Sequence, residues 1–331
     1  MANFTYIGPL KDHLQNYVDL NRAIGYKFDH DASNLKRFDR FVLEKYPEMI
    51  GLTKELVLDW CNKKPYEAQA TQYRRAALMR KFGTYLDSLG IKAYILPKAY
   101  YSTPQQYTPY IYTVAELKKF FAAIDQDQPR CSYAGSYQRQ IMPVIFRMFY
   151  MCGLRSSEAR LLKVADVDLD RGILTINQSK NDNSRLVPMP DSLTERCRAF
   201  SKEVHLLSVP EVYYFPALER KPMKKGILYQ NFRKFLWKAG ISHGGGGRGP
   251  RIHDFRHTYA VHCLKKWAEE GKDLTAYLPI LRTYMGHHSF EATAYYLRMT
   301  ADVFPHITLK LETHYLDMIP QLEGGFNDET Y

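Results

Sequence analysis

The chain is 331 residues long, 45% hydrophobic and 24% charged, with 46 Lys and Arg against 35 Asp and Glu for a net charge of +11. A length beyond the ~250–300 residues at which one core stops growing predicts two domains, and the ordinary composition excludes disorder, collagen and coiled coil as the main state. No apolar run approaches the ~20 residues of a membrane span, and the N-terminus lacks a basic stretch ahead of an apolar one, so a cytoplasmic protein without a secretion signal is expected.

The first hundred residues read as helices. Leu10, Leu14, Tyr17 and Val18 recur at helical spacing, and Gly25 ends the run. Leu35, Phe38, Phe41 and Val42 follow Asp31 and Ser33 as candidate caps. Residues 56–60 predict a short third helix and 67–89 a fourth, closed by Gly90. Together they predict a helical bundle. Residues 98–112 then hold two prolines and five tyrosines with no helical period. The expected organisation is a helical domain over 1–97, a linker over 98–112, a second domain over 113–303 and a tail over 304–331.

The second domain opens with Thr113 and Glu116 spaced as a capping box ahead of Leu117, Phe120 and Phe121. An apolar helix is predicted over 136–152, ended by Gly153, and a short one over 156–163. Residues 172–178 and 185–189 are β-branched or alternating, and the polar run 179–184 between them predicts a β-hairpin with Lys180 near its turn. Helices are predicted again over 192–204, 228–239, 254–269, 273–284 and 289–298. The glycine-rich residues 243–251 are not followed by G-K-[ST], so a nucleotide P-loop is unsupported. Cys61, Cys131, Cys152, Cys197 and Cys263 are odd in number and widely spaced, which fits reduced thiols better than a disulfide framework or a zinc ribbon.

The charge is uneven. Residues 1–299 carry 45 basic and 29 acidic residues, whereas residues 300–331 carry 1 basic and 6 acidic. A basic body suggests a polyanion partner, most simply nucleic acid; a solvated basic surface is the plainer alternative. His253 and Arg256 stand three apart on one helix face, and His253 and His257 stand at i,i+4, a spacing that also suits a metal. No H-E-x-x-H or carboxylate cluster completes a metal site, so no metal is expected. Singly, each group has a plain reading: Arg155 and Glu158 pair across a helical turn, Lys180 is a solvated turn lysine, and Tyr296 is one of 26 tyrosines.

The order of the patterns carries more. Gly153-Leu-Arg155-Ser-Ser-Glu158 comes first, then the polar turn with Lys180 and Arg185-Leu-Val-Pro188. His253-Asp-Phe-Arg256-His-Thr258 and Met285-Gly-His287 follow, and Tyr296 stands nine residues on. Over roughly residues 113–300 this resembles the tyrosine recombinase, or phage integrase, family. Family members typically read G-L-R-x-S-E, a hairpin Lys, H-D-x-R-H-T, L-G-H and a Tyr nine residues later. Met285 stands where Leu is usual, a volume-conserving change. The preceding four-helix region resembles the family's core-binding domain.

The resemblance implies a mainly α fold with a small β-hairpin or sheet: an N-terminal helical core-binding domain plus a mixed α/β catalytic domain, closing round the duplex as a C-shaped clamp. It implies a site-specific DNA recombinase that cleaves and rejoins strands through a 3′-phosphotyrosine, as a tetramer on two double-stranded recombination sites, with no cofactor. The catalytic set carries over as Arg155, Lys180, His253, Arg256, His287 and Tyr296. Two guanidiniums suit the non-bridging oxygens of a phosphodiester, on which charge builds during attack. His287 adds a donor, His253 takes the tyrosine proton, and Lys180 protonates the departing 5′ oxygen. The aryl phosphate conserves bond energy, so rejoining needs neither ATP nor metal. On the fourth helix, Arg74, Arg75, Arg80 and Lys81 are candidate DNA contacts, or else a charged solvent face. The tail resembles the segment that family members dock on their own or a neighbouring catalytic domain, with Phe304, Ile307, Leu309 and Leu311 as its apolar face. The rival readings are type IB topoisomerase-like relaxation of DNA, a catalytically silent DNA-binding protein, and a metal-binding helical protein using His253, His257 and His262.

Overall fold

The computed structural model describes residues 4–49, 51–103, 107–127, 133–177, 184–217, 221–245, 249–287, 293–297 and 300. It divides into two units between Tyr107 and Thr108, inside the segment 98–112. Tyr101 packs against the core of the first unit, and Tyr112 is fully buried in the second.

Among the described residues, the α-helices of the first unit are α1 (Lys11–Ala23), α2 (Asp29–Lys45), α3 (Lys54–Cys61) and α4 (Gln69–Ser88). Their apolar stripes meet in one core, where Phe38 lies edge-on to Trp60 at 5.5 Å and Tyr17 meets Phe82 at 5.4 Å. α2 starts earlier than its expected caps. Phe28 turns the chain at φ +49, and Asp29 and Asp31 fall in the first turn, where they offset the helix dipole instead of capping it. Asp39 is buried on α2 and accepts from the backbone N–H groups of Ile7 (2.7 Å) and Gly8 (2.9 Å), which ties the N-terminal segment down. Gly8 is required there, because a Cβ would sit 2.8 Å from Asp39 Oδ1.

In the second unit, α5 (Val114–Asp125) begins with the expected capping box of Thr113 and Glu116. α6 (Tyr133–Met151) and α7 (Ser156–Leu161) follow, then three strands, β1 (Val167–Asp168), β2 (Ile173–Ile176) and β3 (Arg185–Pro188). They pair antiparallel in the order β1-β2-β3, with Ile173 opposite Pro188 and Ile176 opposite Arg185. β1 was not expected, since two residues are too few to show an alternation. The turn residues 179–183, Lys180 among them, lie outside the described residues, as do Cys131 and the tail 304–331.

α8 (Asp191–Val204), α9 (Lys225–Lys238), α10 (Asp254–Glu269) and α11 (Leu274–Met285) follow, and residues 293–297 are helical. Phe120, Phe146, Phe232 and Phe235 surround Phe255 or one another at ring distances of 5.1 to 6.2 Å. Tyr112 stacks on Phe255 at 4.7 Å, and its backbone N–H donates to Thr258 Oγ1 at 3.1 Å. Those contacts fix the rotation of α10. A second cluster joins Ala260, Val261 and Leu264 to Leu274, Leu278, Leu281 and Met285, and Tyr296 closes it. Among the described residues, no helix is long and apolar enough to cross a membrane.

Candidate active site

The site is organised by the end of α11. Gly286 turns the chain at φ +64; its N–H donates to the Thr283 carbonyl and the His287 N–H to the Arg282 carbonyl, both at 3.1 Å, which is a Schellman closure. Such a closure leaves the last carbonyls open, and each here meets a different guanidinium. Arg185 Nε donates to Tyr284 O (2.8 Å), Arg256 Nη2 to Met285 O, and Arg155 Nη2 to Gly286 O (2.9 Å). Cations at a helix C-terminus are also favoured by its dipole. Three arginines from β3, α10 and the start of α7 therefore converge on one turn, just before His287.

Arg256 is 1% exposed and donates its other nitrogen, Nη1, to Gly153 O at 2.6 Å. Gly153 has φ +57, and a Cβ there would sit 2.8 Å from the Tyr259 ring, so the approach needs glycine. Burial and the nearby Arg155 lower the Arg256 pKa to about 10, which leaves it charged at neutral pH. Arg155 precedes α7 and is partly open to solvent. Its Nη1 donates to Glu158 Oε1 at 2.7 Å and its backbone N–H to Glu158 Oε2 at 2.8 Å. Arg185 makes a two-pronged bond to the same carboxylate, 2.9 Å on each side. Burial pushes the Glu158 carboxyl up, but the hydrogen bond and charge of Arg185, with Arg256 and the Arg155 N–H, outweigh it and hold the carboxyl at about 2.

Tyr296 lies buried beside this cluster. Its ring is stacked with His287 (5.7 Å, 18° between planes) and tilted against His257 (5.5 Å). His253, the residue that precedes α10, and His257, in its first turn, meet edge to face at 4.7 Å. Burial, then the neighbouring cations, keep His257 and His287 neutral, and His253, more open to solvent, is shifted in the same direction. Burial, Arg256 and Arg155 lower His253 to about 4, while burial with His253 and Arg256 lowers His257 to about 3. Burial with Arg256 and Arg155 takes His287 to about 3. A hydrogen bond joins His287 Nδ1 to the buried Thr293 Oγ1 at 3.0 Å and leaves Nε2 as the other face of the ring. Burial pushes the Tyr296 phenol up to about 12 against the pull of Arg256 and Arg155, so it is protonated at neutral pH.

Five expected residues, Arg155, His253, Arg256, His287 and Tyr296, thus share one site, and Lys180 lies outside the described residues. The third histidine of the metal-binding alternative, His262, is taken up by the Tyr150 hydroxyl at 3.0 Å.

The model of the phage integrase family matches residues 113–302. The chain belongs to the phage integrase family. It is a tyrosine-type recombinase, and neither the topoisomerase-like nor the silent alternative is favoured. The putative integrase/recombinase y4rB of Sinorhizobium fredii is 29% identical over 92% of this chain and 97% of its own. Tyrosine recombinase XerA of Thermococcus kodakarensis is 29% identical over 48% of this chain and 51% of its own. The fold is that of XerH site-specific recombinase bound to its palindromic difH substrate, with TM-score 0.62, 18% identity, and 85% and 78% of the two chains covered.

Sequence patterns placed Arg185 in the Arg185-Leu-Val-Pro188 run without a role, and did not point to Thr293 or to the carbonyls of Gly153 and residues 284–286. A lone arginine opening a strand has no periodic signal, and a backbone carbonyl has none at all. In the first unit, Arg74 and Lys81 are exposed on α4. Arg75 is buried, pairs with Glu67 at 2.8 Å and donates to Asn62 O; Arg80 donates to Leu96 O (2.7 Å) and Pro97 O (3.0 Å). Both are held by the unit's own loops.

Proposed function

We propose that Tyr296 is the nucleophile of this recombinase and that Arg155, Arg256 and His287 bind the scissile phosphate. The observation that carries this is the convergence of two arginines and three neutral imidazoles around one buried phenol. Tyr296 Oη attacks phosphorus, the bond from phosphorus to the 5′ oxygen breaks, and a 3′-phosphotyrosine forms. His253, neutral down to about pH 4, takes the phenol proton. Lys180 gives a proton to the departing 5′ oxygen, and reversal by a 5′ hydroxyl rejoins the strand. Removing one oxyanion donor from such a site costs on the order of 10²–10³ in rate.

The partner is double-stranded DNA with specific recombination sites. XerH is described in complex with a DNA substrate, and the Tn1549 transposon integrase, which shares the fold at TM-score 0.60, with transposon end DNA. The working form is a cytoplasmic tetramer on two sites, in which residues 304–331 dock on a catalytic domain and the helical domain 1–97 contacts the core site through Arg74 and Lys81. A nicked suicide duplex tests the chemistry. A denaturant-resistant adduct on the 3′ side of the break is expected, whereas strand breaks with no protein attached would contradict it. Relaxation of supercoiled plasmid without any site preference would favour the topoisomerase-like outcome instead.

A further inference from the structure

We infer that Arg185 is a positioning residue for the phosphate clamp, one that fixes Arg155 and the Gly286–His287 turn without touching DNA. The inference rests on the phosphotyrosine reading above. Arg185 opens β3, directly after the hairpin segment that carries Lys180. Both of its Nη atoms bind Glu158 and its Nε binds Tyr284 O. Three of its five N–H donors, one on each nitrogen, are spent on these acceptors, and the side chain is 7% exposed, so Arg185 is committed to the protein's own groups.

What it does instead follows from Glu158. A carboxylate offers about four lone-pair directions. Glu158 accepts four bonds, two from Arg185 and two from Arg155. Its rotation is therefore set jointly by the two arginines, and loss of one fork frees the carboxylate to turn and carry Arg155 with it. Arg185 also lies against the turn: Nη1 and Cδ are 3.0 and 3.2 Å from the point where a Cβ on Gly286 would stand. One guanidinium thus ties β3, α7 and the end of α11 together, and each of these holds a proposed catalytic group or leads to one. Plain neutralisation of a buried Glu158 needs a charge but no fork, so lysine separates the two roles.

The test compares two scissile groups in the suicide duplex, the ordinary phosphodiester and a methylphosphonate. The methylphosphonate is uncharged and asks less of Arg155. Arg185→Lys keeps a cation beside Glu158 and guards against misfolding; Arg185→Gln removes it. Both should slow adduct formation on the phosphodiester by about 100-fold, the effect of a small misplacement, and by less than about tenfold on the methylphosphonate. DNA binding should be unchanged. Arg155→Ala should show the same discrimination, and adding Arg185→Lys to it should cost little more. Equal losses on both substrates, full additivity with Arg155→Ala, or no loss in Arg185→Lys would overturn the role. Absence of adduct from the unsubstituted enzyme on both substrates would instead fault the phosphotyrosine reading, because the Arg185 contacts do not depend on which residue attacks.

Discussion

At the scale of single residues, the site solves one electrostatic problem. A phosphodiester needs concentrated positive charge, and the imidazoles beside that charge must stay uncharged to act as bases. Arg256 is buried and bonded to two carbonyl oxygens, so its charge is retained and directed. His253, His257 and His287 are held neutral beside it, the state in which an imidazole can accept a proton. This makes stability depend on pH. Each histidine has a folded pKa below the 6.5 of an unperturbed imidazole, so as pH falls below 6.5 the unfolded chain binds more protons and stability is lost. The loss is roughly 1.4 kcal/mol for each pH unit for His257 and for His287, down to about pH 4, and less for His253, which solvent screens. Glu158, held at about 2, adds a further loss only below its ordinary 4.5. Tm should therefore fall steeply between pH 6.5 and 5, and less so in His257→Asn. An unchanged Tm over that range would mean that the imidazoles are not held neutral by the fold.

At the scale of elements, the closing turn of α11 decides whether the arginines meet. Gly286→Ala places a side chain at φ +64, at a cost of roughly 1–2 kcal/mol, and presses on Arg185. Tm should drop by a few degrees while adduct formation falls well beyond what the lost stability explains. A drop in Tm with full activity would reduce the turn to a structural cap. The hairpin gives a second prediction. Lys180→Ala should slow cleavage more than binding, and a duplex with a 5′-bridging sulfur, which leaves without a proton, should restore the rate. Failure to restore it would remove Lys180 as the proton donor. The elements were legible in the sequence wherever an apolar stripe, a capping box or a glycine stop marked them, as for α1, α5 and α6. β1 was too short to read, and the start of α2 was misplaced because Phe28 adopts a backbone conformation that sequence patterns do not announce. At the site, motif order pointed to the side chains, but the turn that gathers them is made of carbonyls and a shared carboxylate. Those depend on three-dimensional register, which Arg185, standing alone at the mouth of β3, does not reveal.

At the scale of the whole molecule, the excess of 45 basic over 29 acidic residues across 1–299 predicts binding driven by counterion release. Affinity for duplex DNA should fall steeply with salt. Replacing the exposed Arg74 and Lys81 by alanine should reduce the slope of log K against log salt by about 1.8, if each neutralises one phosphate. The same replacement of Arg75 or Arg80 should instead destabilise the first unit, because their bonds hold loops of that unit. An unchanged slope in the Arg74, Lys81 double variant would move the contact surface off α4.

The central claim, that Tyr296 carries the covalent link, is tested most directly by mapping the adduct peptide from the suicide duplex. Tyr295 is its neighbour, but adjacent helical residues point about 100° apart, and the ring packed between His287 and His257 is that of Tyr296. The phosphorylated tyrosine should be Tyr296, Tyr295→Phe should keep the adduct, and Tyr296→Phe should abolish it while folding and DNA binding persist. An adduct on Tyr295, or one that survives in Tyr296→Phe, would contradict the account.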